Sequence, residues 1–360
     1  MNPNEPPIID FSRKNPTSSI LKYLTLSAFY TNDTKDLIHQ IKQACEQFGF
    51  FQLINHAIPT ELQTAVLKHS KEFFNLPLET KEKYDQGNTT LTTPVKGILN
   101  QKATGGFNRG YERLRSQNFE KRTKGDLKEG FYLGKDVPLN DEYVLQRRFG
   151  QGPNKYPTEL TDAQGFRHIM DEYHDAMIAL SIAIMQVLAR TLGLEDDAFK
   201  DFCDHPVSIL RLLHYPPQEA DASGLERGIG AHTDFGAITM LLQDDTGGLQ
   251  VWNNLTSEWV DVTPVPGAYV VNLGNMMMRW TNNRYLSNLH RVINTSGKER
   301  FSVPFFFSGN PNYTIRCLPG CDQEGALYPP ITVHEWMTGR YADTYGTSGK
   351  AIGEMRGPGE

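Results

Sequence analysis

The sequence predicts a mainly β protein whose sheet-rich C-terminal half is backed by N-terminal helices. After Pro206, short runs rich in β-branched and aromatic residues follow one another, separated by Gly, Pro and Asn, a pattern typical of a sandwich, jelly roll or barrel. Before that point, apolar residues recur mostly at helical spacing. The 360 residues suit two domains, or one large β-rich domain with helical additions.

The N-terminal region, residues 1–205, is predicted to alternate short strands with helices. Gly49 ends the first helix, and Pro59 begins the second. The predicted strands are 7–12 and 50–54, and the predicted helices are 36–48, 59–74, 161–192 and 196–202. Residues 87–157 mix glycines, prolines, basic residues and aromatics without a steady period. We expect this segment to be a long excursion of loops and short elements that forms a lid or binding loop.

The C-terminal region, residues 206–345, is predicted to be the jelly-roll core. Its β-rich runs have the short, evenly punctuated character of that class of fold. The predicted strands are 209–215, 238–242, 249–252, 259–262, 269–273, 289–293, 301–307 and 313–318. A helix is predicted at 333–341, and the Gly-rich residues 346–360 are expected to form a disordered tail.

Composition and charge exclude several classes of function. Lys and Arg number 36 against 42 Asp and Glu, so the chain is mildly acidic, which argues against a general nucleic-acid binder or a polybasic membrane clamp. The longest uncharged apolar run, residues 176–189, falls short of the roughly 20 residues of a spanning helix. The first residues show neither a basic nor an apolar signal segment, so we expect a cytoplasmic protein.

The four cysteines favour a reducing compartment. Cys45 lies on a helical apolar face and is interpreted as a core thiol. Cys317 and Cys321 flank Leu-Pro-Gly and could form a bridge, but no second Cys or His set accompanies them, so a zinc site is not expected.

A His-x-Asp motif, with a later histidine, is the strongest chemical signal. His232 and Asp234 are two residues apart, so in an extended chain both side chains point to the same side. His290 lies on a later β run. Two imidazoles and one carboxylate on one face of an octahedron form the facial triad that binds non-haem Fe(II). An isolated His-x-Asp is common by chance, so the hypothesis depends on what surrounds it.

An Arg-x-Ser pair follows on the next predicted strand. Alternation places Arg300 and Ser302 on the same face. A guanidinium beside a hydroxyl can hold a carboxylate through charge-assisted, forked hydrogen bonds. Together with the histidines and Asp234, this pair predicts an anchor for a dicarboxylate cosubstrate, whereas alone it would be a solvated strand face.

These motifs resemble the isopenicillin N synthase-like family of Fe(II)/2-oxoglutarate-dependent dioxygenases, over nearly the whole chain. The matching segments are Pro7-Ile-Ile-Asp-Phe11, Cys45-Glu-Gln-Phe-Gly-Phe-Phe51, Asn55-His56, Phe73-Phe-Asn-Leu-Pro77, Lys81, Leu210-Arg-Leu-Leu-His-Tyr-Pro-Pro217, His232-Thr-Asp234, Gly247-Gly-Leu-Gln-Val251, Val271-Asn-Leu-Gly274, His290-Arg-Val292 and Arg300-Phe-Ser-Val-Pro-Phe-Phe306. Gly110-Tyr111 and Lys128-Glu-Gly-Phe131 resemble fungal and bacterial members more than plant members.

The resemblance implies a distorted double-stranded β-helix, that is, a jelly roll, backed by the N-terminal helices. It implies Fe(II) held by His232, Asp234 and His290, with O2 as the oxidant. It also implies 2-oxoglutarate as cosubstrate, its far carboxylate on Arg300 and Ser302. Tyr215 matches a tyrosine that often assists this cosubstrate, and a buried strand tyrosine is the alternative interpretation.

Two positions depart from the family pattern. Leu213 stands where many relatives have Asn, which puts a polar contact near the cosubstrate in doubt. Asn275 stands where Asp is more usual, which puts a charged partner of the metal ligands in doubt. Neither departure removes a ligand.

The implied reaction is oxidation of a C–H bond of a small organic substrate, with release of succinate and CO2. Hydroxylation, desaturation and ring closure all stay open, and specialised metabolism is expected by analogy with the fungal and bacterial members. The first alternative is an Fe(II)/O2 oxidase of the same fold that does not use 2-oxoglutarate. The second is a non-enzymatic binding protein, which we would expect to have lost a metal ligand.

Aromatic residues near the metal are expected to form the substrate pocket. On the strand that carries Arg300, Phe305 or Phe307 is predicted as one wall, and Phe306 is expected to face away from theirs. Tyr111 and Phe131, from the irregular residues 105–135, are predicted as the other wall. The bland alternative is that all four are ordinary core aromatics.

Overall fold

Two β-sheets enclose a cavity in the computed structural model, which describes residues 5–11, 34–86, 108–120, 123–218 and 226–345. The larger sheet has eight strands. In spatial order they are β1 (Ile8–Asp10), β2 (Phe50–Ile54), β10 (Tyr269–Leu273), β7 (Ile238–Gln243), β12 (Arg300–Gly309), β5 (Val207–Tyr215), β4 (Glu129–Gly134) and β3 (Gly110–Glu112). Only the β1–β2 pair is parallel among the pairs of this sheet.

The smaller sheet faces the cavity from the other side. Its order is β6 (Ile229–His232), β11 (His290–Val292), β8 (Leu249–Asn253) and β9 (Glu258–Asp261). A separate ribbon pairs β13 (Thr314–Ile315) with β14 (Ile331–Thr332). Two mainly antiparallel sheets around a cavity form the predicted jelly roll, and the fold class is confirmed.

Eight helices accompany the sheets in the described part of the chain. They are α1 (Thr34–Gln47), α2 (Thr60–Phe74), α3 (Leu78–Lys83), α4 (Glu142–Leu145), α5 (Ala163–Thr191), α6 (Lys200–Cys203), α7 (Asn275–Trp280) and α8 (Val333–Tyr345). Of these, α1, α2 and α5 pack against the large sheet. The long α5 packs against α1, α2 and β12, so it forms the centre of the helical layer. Within the described ranges, no helix combines the length and the apolar character needed to cross a bilayer.

Local sequence signals explain where the main helices begin and end. Pro59 caps α2 with a φ of −59°, a value that its ring imposes. The side chain of Asp162 accepts a hydrogen bond from the Gly165 amide at 2.8 Å, which caps α5. Gly49, after α1, has a φ of +65°, and a Cβ there would lie 2.3 Å from the Leu286 carbonyl oxygen, so only glycine fits this turn.

The two predicted regions share one sheet. Strands β1 to β4 come from residues before 206, yet they extend both edges of the large sheet built by the later strands. The predicted excursion at 87–157 therefore contains real strands, because β4 pairs with β5 along its whole length. Residues 87–107 of that excursion, and the predicted tail at 346–360, lie outside the described residues. All four cysteines are free thiols, so Cys317 and Cys321 are not bridged.

Candidate active site

Three side chains from the mouth of the jelly roll converge on one point. His232 ends β6, Asp234 lies in the loop that follows, and His290 begins β11, directly opposite His232 in the antiparallel register. The Nε2 atoms of the two histidines each lie 3.8 Å from Oδ1 of Asp234. One ligand atom from each residue lies within 4.8 Å of the others, a spacing that one metal ion can bridge.

Hydrogen bonds leave one ligand atom of each residue available. Nδ1 of His232 lies 2.8 Å from the Gly230 carbonyl, and Nδ1 of His290 lies 3.3 Å from the Asn288 carbonyl. A carbonyl can only accept, so both Nδ1 atoms carry the hydrogen and both Nε2 lone pairs face the centre. Burial and then the neighbouring His290 lower the pKa of His232 to about 3, so its imidazole is neutral and ready for a metal at physiological pH.

The Asp234 carboxylate is held by one oxygen and presents the other. Oδ2 accepts hydrogen bonds from Thr239 Oγ1 at 2.6 Å and from Asn272 Nδ2 at 2.7 Å. Burial raises the pKa of Asp234, but the two imidazoles and these hydrogen bonds outweigh it, and its pKa lies below the ordinary value. The carboxylate is therefore charged and its Oδ1 faces the histidines. Two imidazole nitrogens and one carboxylate oxygen fit a non-haem Fe(II) ion.

Asn275, one of the departures from the family pattern, supports the loop of Asp234 from behind. Its backbone N–H donates to the Asp234 carbonyl at 2.7 Å, and its side chain hydrogen-bonds Thr233 and Ser287. It is fully buried at the start of α7. An uncharged amide thus holds Thr233, between His232 and Asp234, and Ser287, three residues before His290. It makes no hydrogen bond to the side chains of the candidate ligands.

The predicted carboxylate anchor lies at one end of the same cavity. Arg300 is fully buried, and its Nη1 donates to Ser302 Oγ at 3.2 Å. Its other hydrogen bonds go to the Gly247 carbonyl at 2.7 Å and to the side-chain oxygen of Gln243 at 3.2 Å. The guanidinium carbon lies 4.8 Å from the centre of the Tyr215 ring. Arg300, Ser302 and Tyr215 all line the cavity, as do the three candidate metal ligands.

The charge of Arg300 has no acidic partner among the described residues. Each of its hydrogen bonds goes to a neutral oxygen. A buried cation is costly unless an anion neutralises it. The anchor is therefore suited to an incoming carboxylate. Leu213, the second departure, lines the cavity two residues before Tyr215 and offers no polar contact.

The structure contradicts the predicted wall at Phe305 and Phe307. Both are fully buried on the other face of β12, where Phe305 contacts His174 of α5 and Phe307 contacts Phe202 of α6. Because Arg300 and Ser302 face the cavity, the two-residue period of the strand sends the even-numbered residues there. The aromatic side chain of β12 that lines the cavity is therefore Phe306, and the prediction for its neighbours is wrong.

Tyr111 and Phe131 also lie in the core rather than along the cavity. Phe131 packs 4.3 Å from the ring centre of Phe73 in α2, and Tyr111 donates a 2.6 Å hydrogen bond to Glu129. In register they share a face with Leu212, which points away from the metal site. The same irregular segment does reach the cavity, but through Gln117 and Phe119.

Sequence reasoning missed Phe119, Arg211 and Tyr341 as cavity residues. The Phe119 ring stacks on His232, with ring centres 4.4 Å apart and planes 8° apart. No periodicity surrounds Phe119, so no sequence signal identified it. Arg211 had a signal, because it lies on the same strand as Tyr215 with an even spacing of four residues. Tyr341, in α8, is brought to the cavity by tertiary packing alone.

Comparisons with known proteins agree with this geometry. Residues 206–309 match the model of the 2OG-Fe(II) oxygenase superfamily, and residues 7–159 match the N-terminal domain described as "non-haem dioxygenase in morphine synthesis". The 2-oxoglutarate-Fe(II) type oxidoreductase hxnY of Emericella nidulans is 46% identical over 349 residues, which cover 96% of this chain and 92% of that protein. The chain belongs to the 2OG-Fe(II) oxygenase superfamily.

Other relatives and solved structures extend the comparison. Clavatol oxidase claD of Penicillium crustosum is 35% identical and covers 86% of this chain and 91% of its own. A full-length Neurospora crassa protein, solved in complex with alpha-KG and thymine, has a TM-score of 0.75 at 26% identity, over 95% of this chain and 98% of that chain. The protein is therefore an Fe(II)- and 2-oxoglutarate-dependent oxidoreductase that uses O2, as predicted.

The core placement of Phe131 leads to a stability prediction. Phe131→Ala should lower the free energy of unfolding by about 3–5 kcal/mol, because it leaves a cavity under α2. Urea denaturation measures the change, and Leu145→Ala, at a position 62% exposed, is the control that should stay within about 0.5 kcal/mol. An unaltered unfolding midpoint with weakened substrate binding would instead support a pocket role for Phe131.

Proposed function

We propose that His232, Asp234 and His290 hold the Fe(II), and that Arg300 and Ser302, with Tyr215, bind the far carboxylate of 2-oxoglutarate. The observation that carries this proposal is the buried Arg300 in the cavity that contains the triad; among the described residues, its hydrogen bonds go to neutral oxygens. When bound, iron and 2-oxoglutarate supply the oxidising chemistry, in which O2 and 2-oxoglutarate yield succinate, CO2 and an oxidised substrate.

The protein's own residues orient the metal ligands and exclude water from the metal position. Thr239 and Asn272 keep one oxygen of Asp234 occupied, so the carboxylate offers the metal a single oxygen in a fixed direction. Phe119 covers the face of His232, and the edge of Phe50 packs against His290 at 5.3 Å. These rings exclude water from two sides of the metal position, which strengthens electrostatic interactions there.

The substrate is proposed to be a small, partly apolar organic molecule. Apolar side chains dominate the cavity wall away from Arg300. Thymine is the ligand named for the Neurospora crassa relative, and another relative is named as an oxidase of clavatol. We further propose hydroxylation as the default outcome, with desaturation or ring closure when a second hydrogen is removed, and a place in cytoplasmic specialised metabolism without nucleic-acid or membrane partners.

Removal of any proposed metal ligand should abolish turnover. His232→Ala, Asp234→Ala and His290→Ala each delete one of three donors, so bound iron should fall from about one equivalent and 2-oxoglutarate-dependent succinate formation should cease. Metal analysis and succinate assays on folded variants measure both. His168→Ala, whose side chain is 77% exposed on α5, is the matched control and should behave as wild type. Wild-type turnover by folded His290→Ala would disprove the ligand assignment.

Removal of the anchor should weaken cosubstrate binding selectively. Arg300→Ala should cost about 2–5 kcal/mol of 2-oxoglutarate binding, because the carboxylate loses its charged partner. Ser302→Ala should cost only about 1 kcal/mol, the value of one neutral hydrogen bond. The KM for 2-oxoglutarate and the stoichiometry of succinate measure both effects. If neither variant changes the KM, the anchor lies elsewhere, and product without stoichiometric succinate would indicate an oxidase that does not use 2-oxoglutarate.

A further inference from the structure

A second arginine, Arg211, lines the cavity at the end opposite Arg300. Alternate residues of two paired strands line the wall between them. They are Ile209, Arg211, Leu213 and Tyr215 of β5, and Arg300, Ser302, Pro304, Phe306 and Ser308 of β12. Arg300 pairs with Tyr215, four residues from Arg211, so the two arginines start about 13 Å apart along the sheet at roughly 3.3 Å per residue.

Aromatic rings fix the orientation of the second guanidinium. The carbon at its centre lies 4.3 Å from the ring centre of Tyr132 and 4.8 Å from that of Phe306. Nη2 donates to the Tyr341 hydroxyl at 3.3 Å, and the same oxygen accepts from Asn108 at 3.0 Å. Rings occupy the flat faces of a guanidinium without using its N–H groups, which lie in its plane. Arg211 is only 9% exposed, and these rings hold its guanidinium at the cavity wall.

The remaining walls at this end are flat and apolar. Phe306 contributes its ring from β12, and Phe119 contributes the ring that stacks on His232. Phe235 and Met337 complete this part of the wall. A planar molecule between these rings would lie beside the candidate metal ligands and within reach of Arg211.

We propose that the substrate is a small planar organic acid whose carboxylate binds Arg211 and whose ring packs against Phe306. A guanidinium is always charged and matches a carboxylate in a forked pair, and such charge-assisted bonds are about twice as strong as neutral ones. Arg211 is then a specificity residue that orients the substrate toward the metal. The inference rests on the proposed function, since it takes the Arg300 end as the cosubstrate site.

The test compares acids with their neutral amides. Benzoate and 4-hydroxybenzoate, and the matching benzamide and 4-hydroxybenzamide, are titrated by calorimetry into the full chain loaded with Fe(II) and 2-oxoglutarate under argon. Wild type should bind each acid about tenfold or more tightly than its amide, because only the acid pairs with a charge. Arg211→Gln should remove this preference, and Arg211→Lys should keep part of it. Arg167→Gln, whose side chain is 57% exposed on α5, should bind as wild type.

The outcomes separate this inference from the proposed function. If wild type binds 2-oxoglutarate but prefers no acid, or binds no acid of the set, the inference is wrong and the cosubstrate site stands. If 2-oxoglutarate itself fails to bind, the proposed function fails. A preference for acids that survives in folded Arg211→Gln would show that Arg211 is only a packing residue. Should Arg211→Gln not fold, the acid preference of wild type and its reduction in Arg211→Lys decide the question.

Discussion

The pairing of β5 with β12 is the constraint on which the rest of the site depends. In an antiparallel pair the side chains repeat every two residues, so a slip of one residue would send every cavity residue to the helical layer and every core residue to the cavity. β12 lies between β5 and β7 and pairs with both, so its register is set on two sides. The helices α5 and α6 hold Phe305 and Phe307 in the core and thereby keep Arg300 and Ser302 inside.

The geometry of the metal position depends on hydrogen bonds more than on strand register. Its residues come from the end of β6, a loop and the start of β11, where strand pairing is irregular. Side-chain hydrogen bonds, rather than strand pairing, orient the ligands there. Thr239 and Asn272 orient the Asp234 carboxylate, and backbone carbonyls select the histidine tautomers. A buried carboxylate is costly unless it is satisfied, so these partners stabilise the site before a metal binds. Behind this loop, Asn275 donates its backbone N–H to the Asp234 carbonyl.

The sequence predicted the features that repeat or that depend on near neighbours. The strands at 50–54 and 269–273 agree residue for residue with β2 and β10 because their apolar runs are bounded by glycines or turns. The convergence of His232 and Asp234 follows from spacing, but Phe119 reaches the site through an aperiodic segment whose course depends on the finished barrel. The sequence contained the information needed to avoid the error at Phe305, because the two-residue period of a strand places Phe306 on the same face as Arg300.

In the proposed arrangement, alternate side chains of β5 and β12 place the cosubstrate anchor at one end of the cavity and the substrate-binding arginine at the other. At the Arg300 end, hydrogen bonds come from β7, Gly247 and β12 itself, all within the barrel. At the Arg211 end, Tyr341 comes from α8, while Phe119 comes from the segment between β3 and β4 and Asn108 from just before β3. These elements lie outside the strands that hold the triad. In the proposed arrangement, a change in Tyr341 or Asn108 alters the surroundings of Arg211 without touching a metal ligand, so one reaction can serve different substrates on one scaffold.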